Sequence, residues 1–376
     1  MIPTPGLLLT IVAFIGVIAP LVFIHEMGHY LAGRLFGIKA EAFSIGFGRE
    51  IAGWTDKRGT RWKLGWLPLG GYVRFAGDMN VAGQPSPEWL ALPADERNRT
   101  FQSKPVWQRA IVVAAGPFVN LFAAVLILGG FSLAYGDAQG PARIGAVVPG
   151  GAAAAANLRS GDRIVALDGR RIGRFGDMVA VLQPRPGQPI RIDYVRDGVP
   201  ASLTTRIGTA TVAGPDGKPF TYGLLGISPG PASLLDAPVI GVRRTAAIVE
   251  MMAATLKQVV VGDRSVKELG GPITIARASG QQAAQGWDSW VFLVALVSIN
   301  LGFINLLPVP MLDGGHLLFY AIEAVRRRPV GPEAQEWAYR GGLAALAALM
   351  LLVTFNDLGS VGLWSGLGRG LSGLID

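Results

Sequence analysis

Three stretches of this chain run long enough without a charge to cross a bilayer, and a fourth comes close. Pro3–Ile24, Ala110–Gly136 and Ser289–Leu312 contain no Asp, Glu, Lys or Arg; Gly341–Asn356 contains none either, but it is short and needs Trp337 and Tyr339 at its boundary. A spanning helix takes about 20 mostly apolar residues. In lipid every backbone polar group must be paired within the structure, so such runs are helices and everything else must fit between them. Composition agrees: 50% of residues are hydrophobic, only 16% are charged, and the mean hydropathy is +0.40. Those values fit a membrane protein better than an ordinary soluble enzyme.

Charge and cysteine narrow the chemistry. The net charge is +8, yet the basic residues are scattered among connections and form neither a basic helix nor a patch interleaved with aromatics, so nucleic acid is not an expected partner. With no cysteine, a metal must be held by His and carboxylate groups, and no thiolate nucleophile or disulfide is available. No Lys or Arg precedes Arg34, which is unlike a cleavable signal peptide, so the first span is expected to stay attached. Arg34, Lys39, Arg49, Lys57, Arg58, Arg61, Lys63 and Arg74 follow the first span, and Arg326, Arg327, Arg328 and Arg340 follow the third. By the positive-inside rule both segments face the cytoplasm, and the long insert from about 137 to 286 lies on the other side.

That insert reads as a soluble α+β domain followed by an amphipathic stretch. Ile144–Val148, Arg163–Leu167 and Ile190–Tyr194 are strand-like, Ala152–Leu158 and Met178–Leu182 helix-like, and Gly- and Asp-rich turns separate them. The run GGAAAAANLRSGDRIVALDGRRI resembles a bacterial PDZ domain over residues 142–207, with Leu158, Gly161, Asp162, Ile164 and Gly169 at the usual positions. No second copy is present, nor any other internal repeat. Tyr222–Ile227 resembles a carboxylate-binding loop but equally fits an ordinary strand and turn. Residues 239–260 are apolar but carry Arg243, Arg244, Glu250 and Lys257, which fits a helix lying on the membrane surface. Between the first two spans, Phe43, Ile45 and Phe47 alternate with small residues, and Trp62, Leu64 and Trp66 alternate with Arg61, Lys63 and Gly65. This period of two predicts a membrane-associated β-hairpin whose edge could hold an extended peptide, or else a surface hairpin anchored by its tryptophans.

The chemistry concentrates at His25-Glu26-Met27-Gly28-His29. Histidines four apart on a helix lie on one face about 6 Å apart along the axis, close enough for both rings to reach one zinc ion. Glu26 stands beside them to take a proton from the attacking water. The competing reading is a His pair hydrogen-bonded inside a helix bundle, but three ionisable groups in an apolar zone are costly and point to function. Catalytic zinc sites use three protein ligands. Asp313, the only acidic residue between Asp288 and Glu323, sits among Pro308, Pro310 and Gly314 and is the leading third ligand. It could instead cap a helix, and His316, the only other histidine, is its rival.

Taken together, HExxH in the first span, NLLPVPMLDGGH at the third and a PDZ-like insert resemble the site-2 protease family, in particular its bacterial RseP type. FSIGFG, PLGGYVRFAGD, KPVWQRAIVVAAGPFVN and ELGGPITIA extend the likeness over nearly the whole chain. The resemblance implies Zn2+ held by His25, His29 and Asp313, Glu26 as catalytic base, and Asn305, with Asn300 a second candidate, in substrate or oxyanion binding. It also implies second-step cleavage of a single-pass membrane protein such as an anti-sigma factor, after an upstream site-1 protease has acted, or removal of remnant signal peptides. The setting it implies is the bacterial inner membrane, with the PDZ domain periplasmic and the active site toward the cytoplasm. Met27 stands where Phe is frequent in the family, and one PDZ domain stands where the enterobacterial form has two. A metal transporter, a membrane-anchored protease acting on soluble substrates and a PDZ scaffold are the competing functions. The resulting layout is a first span with HExxH (1–36), a hairpin region (37–104), a second span (105–136), a PDZ domain (137–230), a membrane-surface segment (231–286), a third span with the LDGG motif (287–325), and a fourth span with its tail (326–376).

Overall fold

The computed structural model describes residues 5–77, 93–213, 219–265 and 270–360. The first residues of the expected first span, part of the hairpin region and the C-terminal tail lie outside them. The chain divides into two compact units, one of residues 1–125 and 245–376, the other of residues 126–244.

The first unit is built on helices. α1 (Leu7–Leu35) continues well beyond the apolar run and carries the histidines in its interior. α3 (Val106–Tyr135) follows the short α2 (Ala94–Arg97) and begins in this unit, and α6 (Ala237–Val261) ends in it. α7 (Pro272–Gln285), α8 (Trp287–Asn305), α9 (Asp313–Arg326) and α10 (Pro332–Ser360) complete it. Four of these, α1, α3, α8 and residues Pro332–Gly359 of α10, are long and apolar enough to cross a membrane. Their outward faces expose Leu8, Val12, Phe118, Phe122 and Leu351, as expected where the surroundings are hydrocarbon.

Several boundaries differ from the sequence reading for identifiable reasons. The stretch 287–325 is two helices, because Pro308 and Pro310 cannot donate backbone hydrogen bonds and force the preceding residues out of the helical region. The chain then turns at Met311, at φ 83°, and restarts at Asp313. The fourth apolar helix is longer than Gly341–Asn356; Glu333, Glu336 and Arg340 interrupt the hydrophobic pattern of its first turns without ending them. Residues 231–286 form two helices. α7 packs on α1 so closely that a Cβ on Gly280 would lie 2.5 Å from Thr10 Oγ1.

β1 (Ala40–Thr55) and β2 (Arg61–Phe75) form one sheet whose register doubles back. Phe43 lies opposite both Val73 and Trp62, and Ile45 opposite both Gly71 and Leu64. Residues 42–45 are therefore interior to the sheet, and Gly71–Phe75 forms one of its edges. Phe43 is fully covered, stacked on Trp62 at 4.5 Å.

In the second unit β5 (Arg170–Arg171), β4 (Arg163–Leu167), β6 (Pro189–Arg196) and β7 (Val199–Arg206) make a sheet in that order. Two further pairs are β3 (Ile144–Val147) with β10 (Ile227–Pro229), and β8 (Gly208–Ala213) with β9 (Pro219–Leu224). α4 (Ala152–Ala155) and α5 (Phe175–Leu182) close over a core of Ile144, Ile164, Leu167, Met178, Ile190, Ile192 and Ile207. Tyr222–Ile227 is strand, turn and strand, beside an apolar groove lined also by Phe175, Met178 and Leu182. At the domain's edge Arg196 grips Asp162 with both Nε and Nη2, at 2.8 and 2.7 Å.

Candidate metal centre

α1 sets His25 and His29 one turn apart, with ring centroids 4.9 Å from one another. Its continuation past the apolar run makes this possible: Gly28 and Gly33 have no side chain where neighbours press closest. A Cβ on Gly28 would stand 2.6 Å from Ala115 O of α3, and one on Gly33 would meet the Phe75 ring at 2.4 Å. The contact is reciprocal, since a Cβ on Gly116 would lie 2.3 Å from His29 Nε2. Small residues here let α1 and α3 approach until the imidazoles lie against the facing backbone.

Asp313 enters from the far end of the chain. The loop between α8 and α9 folds back over the first turn of α9, and Gly314 and Gly315 accommodate it: a Cβ on either would meet the carbonyl oxygen of Leu307 or Val309 at 2.2 or 2.4 Å. Further along α9, Glu323 accepts a 2.8 Å hydrogen bond from Arg109 of α3, whose guanidinium also stacks 4.9 Å from the Tyr320 ring centroid. Both ends of α9 are thereby fixed, and Asp313 is aimed at the histidines.

The three donors converge. Asp313 Oδ2 lies 3.2 Å from His25 Nε2 and 3.5 Å from His29 Nε2, and the two Nε2 atoms are 3.2 Å apart. Ligands set tetrahedrally around zinc at 2.0–2.1 Å stand about 3.3 Å from each other, so the residues present fit that ion. Among the described residues these are the three whose ligand atoms cluster in this way. Behind His29, Nδ1–H donates to Val112 O at 2.9 Å, which leaves the Nε2 lone pair facing the cluster. Pro117, inside the same helix as Val112, has no N–H to donate to Val113 O.

Glu26, almost wholly buried, lines the same cavity of about 380 Å³ with both histidines, Asp313 and Asn305. Asn300 is not among its lining residues. The rim includes Gly70, Gly71, Tyr72 and Val73 of the sheet edge. A Cβ on Gly71 would lie 3.0 Å from Glu26 Cγ, so β2 can run directly past the glutamate only without a side chain there. Of the alternating residues read from the sequence, Phe43 and Ile45 lie in the sheet interior and Phe47 reaches the cavity, while the strand beside the glutamate is the less patterned GGYV. His316, the rival third donor, lines the cavity one turn beyond Asp313, but its Nδ1 lies 2.8 Å from Tyr339 Oη and it stands outside the donor cluster. Val112 and Asn120, which contact the two imidazoles from behind, both lie within KPVWQRAIVVAAGPFVN, but nothing in that segment singles them out as site residues.

Apolar helices of spanning length that bring together two histidines and a carboxylate at zinc-ligand spacing define the class, a membrane metalloprotease. Residues 13–349 match the model of peptidase family M50. "Putative zinc metalloprotease Atu1380" of Agrobacterium fabrum is 41% identical over 361 residues, covering 93% of this chain and 96% of that protein. A similarly named protein, R01501 of Rhizobium meliloti, is 40% identical over 362 residues, covering 93% and 96%. Metalloprotease MmpA of Caulobacter vibrioides is 36% identical over 382 residues, covering 94% and 96%. The chain belongs to peptidase family M50, the site-2 protease family, and is a zinc-dependent metalloprotease.

Proposed function

We propose that the protein is an intramembrane endopeptidase of the RseP type that hydrolyses peptide bonds in the transmembrane segments of single-pass membrane proteins. The observation that carries this reading is the donor triangle of His25, His29 and Asp313, set beside Glu26 on a helix apolar enough to cross a membrane. Zinc held there would polarise the scissile carbonyl and acidify the attacking water. Glu26 takes the proton from that water and returns it to the leaving amine. In this reading Asn305 donates to the substrate carbonyl; that it lines the cavity and Asn300 does not supports choosing it.

A substrate helix hides its peptide bonds, so it must unwind before reaction, and segments with Gly, Pro or Asn unwind most readily. The Gly71–Val73 strand lies on the cavity rim, where main-chain pairing as in β-strand addition would hold the unwound segment straight. The domain within residues 142–207 is of PDZ type and restrains access without taking part in chemistry. It is periplasmic, and the active site opens toward the cytoplasmic side of the inner membrane. Natural substrates are of the anti-sigma factor or remnant signal peptide class, cut after an upstream site-1 protease.

Purified protein tests the reading. It should carry one zinc and cleave a model transmembrane substrate. Glu26→Gln should keep the zinc and lose 10²-fold or more of the cleavage rate, on the order expected for a general base. His25→Ala, His29→Ala and Asp313→Ala should each lower zinc occupancy, and His316→Ala should not. Full zinc in Asp313→Ala together with its loss in His316→Ala would assign the third ligand to His316 instead.

A further inference from the structure

The two imidazoles of the donor cluster are held from behind by different means. His29 Nδ1 has a backbone carbonyl, Val112 O, as its acceptor. His25 Nδ1 faces the side-chain amide of Asn120, 3.2 Å from Nδ2. Asn120 is completely buried, and its Oδ1 has no hydrogen-bond partner. Its backbone is anchored independently: Ser298 Oγ of α8, itself completely buried, donates to Asn120 O at 2.8 Å. An asparagine pinned by its main chain, with one amide atom on a candidate ligand and the other orphaned, is an expensive thing to bury without a purpose.

The chemistry of the ring says what the purpose is. An imidazole whose Nε2 lone pair serves a metal carries its proton on Nδ1, and that N–H requires an acceptor. An amide NH2 facing it would set donor against donor. Half a turn about Cβ–Cγ exchanges the two amide atoms, which are alike in shape, and places Oδ1 on the Nδ1–H. The mismatch is removed and the orphaned carbonyl gains its partner. The opposite tautomer, in which Nδ1 accepts from the amide, puts a proton on Nε2 and takes His25 out of the metal site.

We propose that Asn120 is a positioning residue whose Oδ1 accepts a hydrogen bond from the Nδ1–H of His25 and so selects the tautomer and ring orientation able to bind zinc. Through Ser298 this ties α1, α3 and α8 together at the level of the site. The proposal rests on His25 being a zinc ligand, and the test separates the two claims. Full-length protein in detergent is stripped of metal and its zinc affinity measured by competition with a chromophoric chelator, with the absorption bands of the cobalt-loaded form as a second readout.

Asn120→Leu, similar in size but without an acceptor, should bind zinc about ten- to a hundredfold more weakly and shift the cobalt bands while circular dichroism is unchanged. Asn120→Asp keeps an acceptor and should restore affinity to within a few-fold of the unaltered protein. Unchanged affinity and spectrum in Asn120→Leu would overturn the proposal, as would an Asn120→Asp variant as weak as Asn120→Leu. If Asn120→Leu does not fold, Asn120→Asp decides alone: near-normal affinity upholds the role, weak binding rejects it. His25→Ala is the control, and full zinc retention there would overturn the ligand assignment and this proposal with it.

Discussion

In residues 126–244 the completely covered side chains are mostly apolar, among them Ile144, Ile164, Leu167, Met178, Ile190, Ile192 and Ile207, with Asp162 a polar exception, while polar groups such as Asp168, Arg185 and Arg191 remain at the surface. In the helical unit large apolar side chains such as Leu8, Val12, Phe118 and Phe122 are exposed, and the polar His25, Glu26, Asn120 and Ser298 are covered together with apolar residues such as Val17 and Ile299. The difference teaches what each unit uses for cohesion. Burying large apolar side chains is worth about 25 cal/mol per Å² only where the alternative is water. Between helices in hydrocarbon that gain is absent, and close backbone approach at glycines together with interhelical hydrogen bonds must replace it.

The comparison can be broken most forcefully at Gly116. Adding one methyl in Gly116→Ala puts a carbon 2.3 Å from His29 Nε2, so the imidazole or the helices must shift. Zinc occupancy by metal analysis should collapse and cleavage with it, and thermal unfolding should fall by an amount on the order of 1–3 kcal/mol. Normal zinc content would show that the glycine crossing is not what holds the site.

A core cavity in the other unit should behave oppositely. Ile192→Ala removes a completely buried side chain and should cost about 2–5 kcal/mol. Amide hydrogen exchange should speed up across β4, β6 and β7, with zinc content and cleavage of a short substrate preserved. Zinc loss in this variant would mean that the two kinds of cohesion are not separable.

The smallest effect is a pH dependence confined to the second unit. Burial raises the pKa of Asp162, but hydrogen bonds from Arg196 and the Arg159 backbone N–H, with the charges of both arginines, outweigh it and hold the carboxyl below its ordinary value. A group depressed on folding stabilises the fold above its unfolded pKa of about 3.9, and the contribution disappears as pH falls through the lower folded value. Asp162→Asn should therefore lower exchange protection in β4 and β6 at pH 7, by less than Ile192→Ala does, and the gap should narrow on acidification below about pH 4. A gap that widens instead would reverse the sign of the linkage.

How much the sequence disclosed followed from how local each feature is. The spacing of His25 and His29 is a property of one helix, and the apolar runs are properties of single segments, so both could be read directly. Asp313 could only be ranked against His316, because the choice depends on how the loop around Pro308 and Pro310 folds back onto α9. Asn120 closes the segment KPVWQRAIVVAAGPFVN, but its role could not be read, since nothing within a turn of it shows that it faces an imidazole from another helix. The sheet misled in an instructive way. Alternation identifies strands covered on one face, which here are the interior ones, whereas the edge at Gly71 is shaped by what it must pass and carries little pattern.

The placement of the three donors also bears on how the protein is made. His25 and His29 emerge from the ribosome early, and Asp313 only after most of the chain has followed. At about 5–20 residues per second the interval is roughly 15–60 s. On the proposed ligand set the nascent helix carries an incomplete group of metal donors throughout that interval, and the capacity to cut peptide bonds arises only when α9 arrives, after the domain that precedes it has had time to fold.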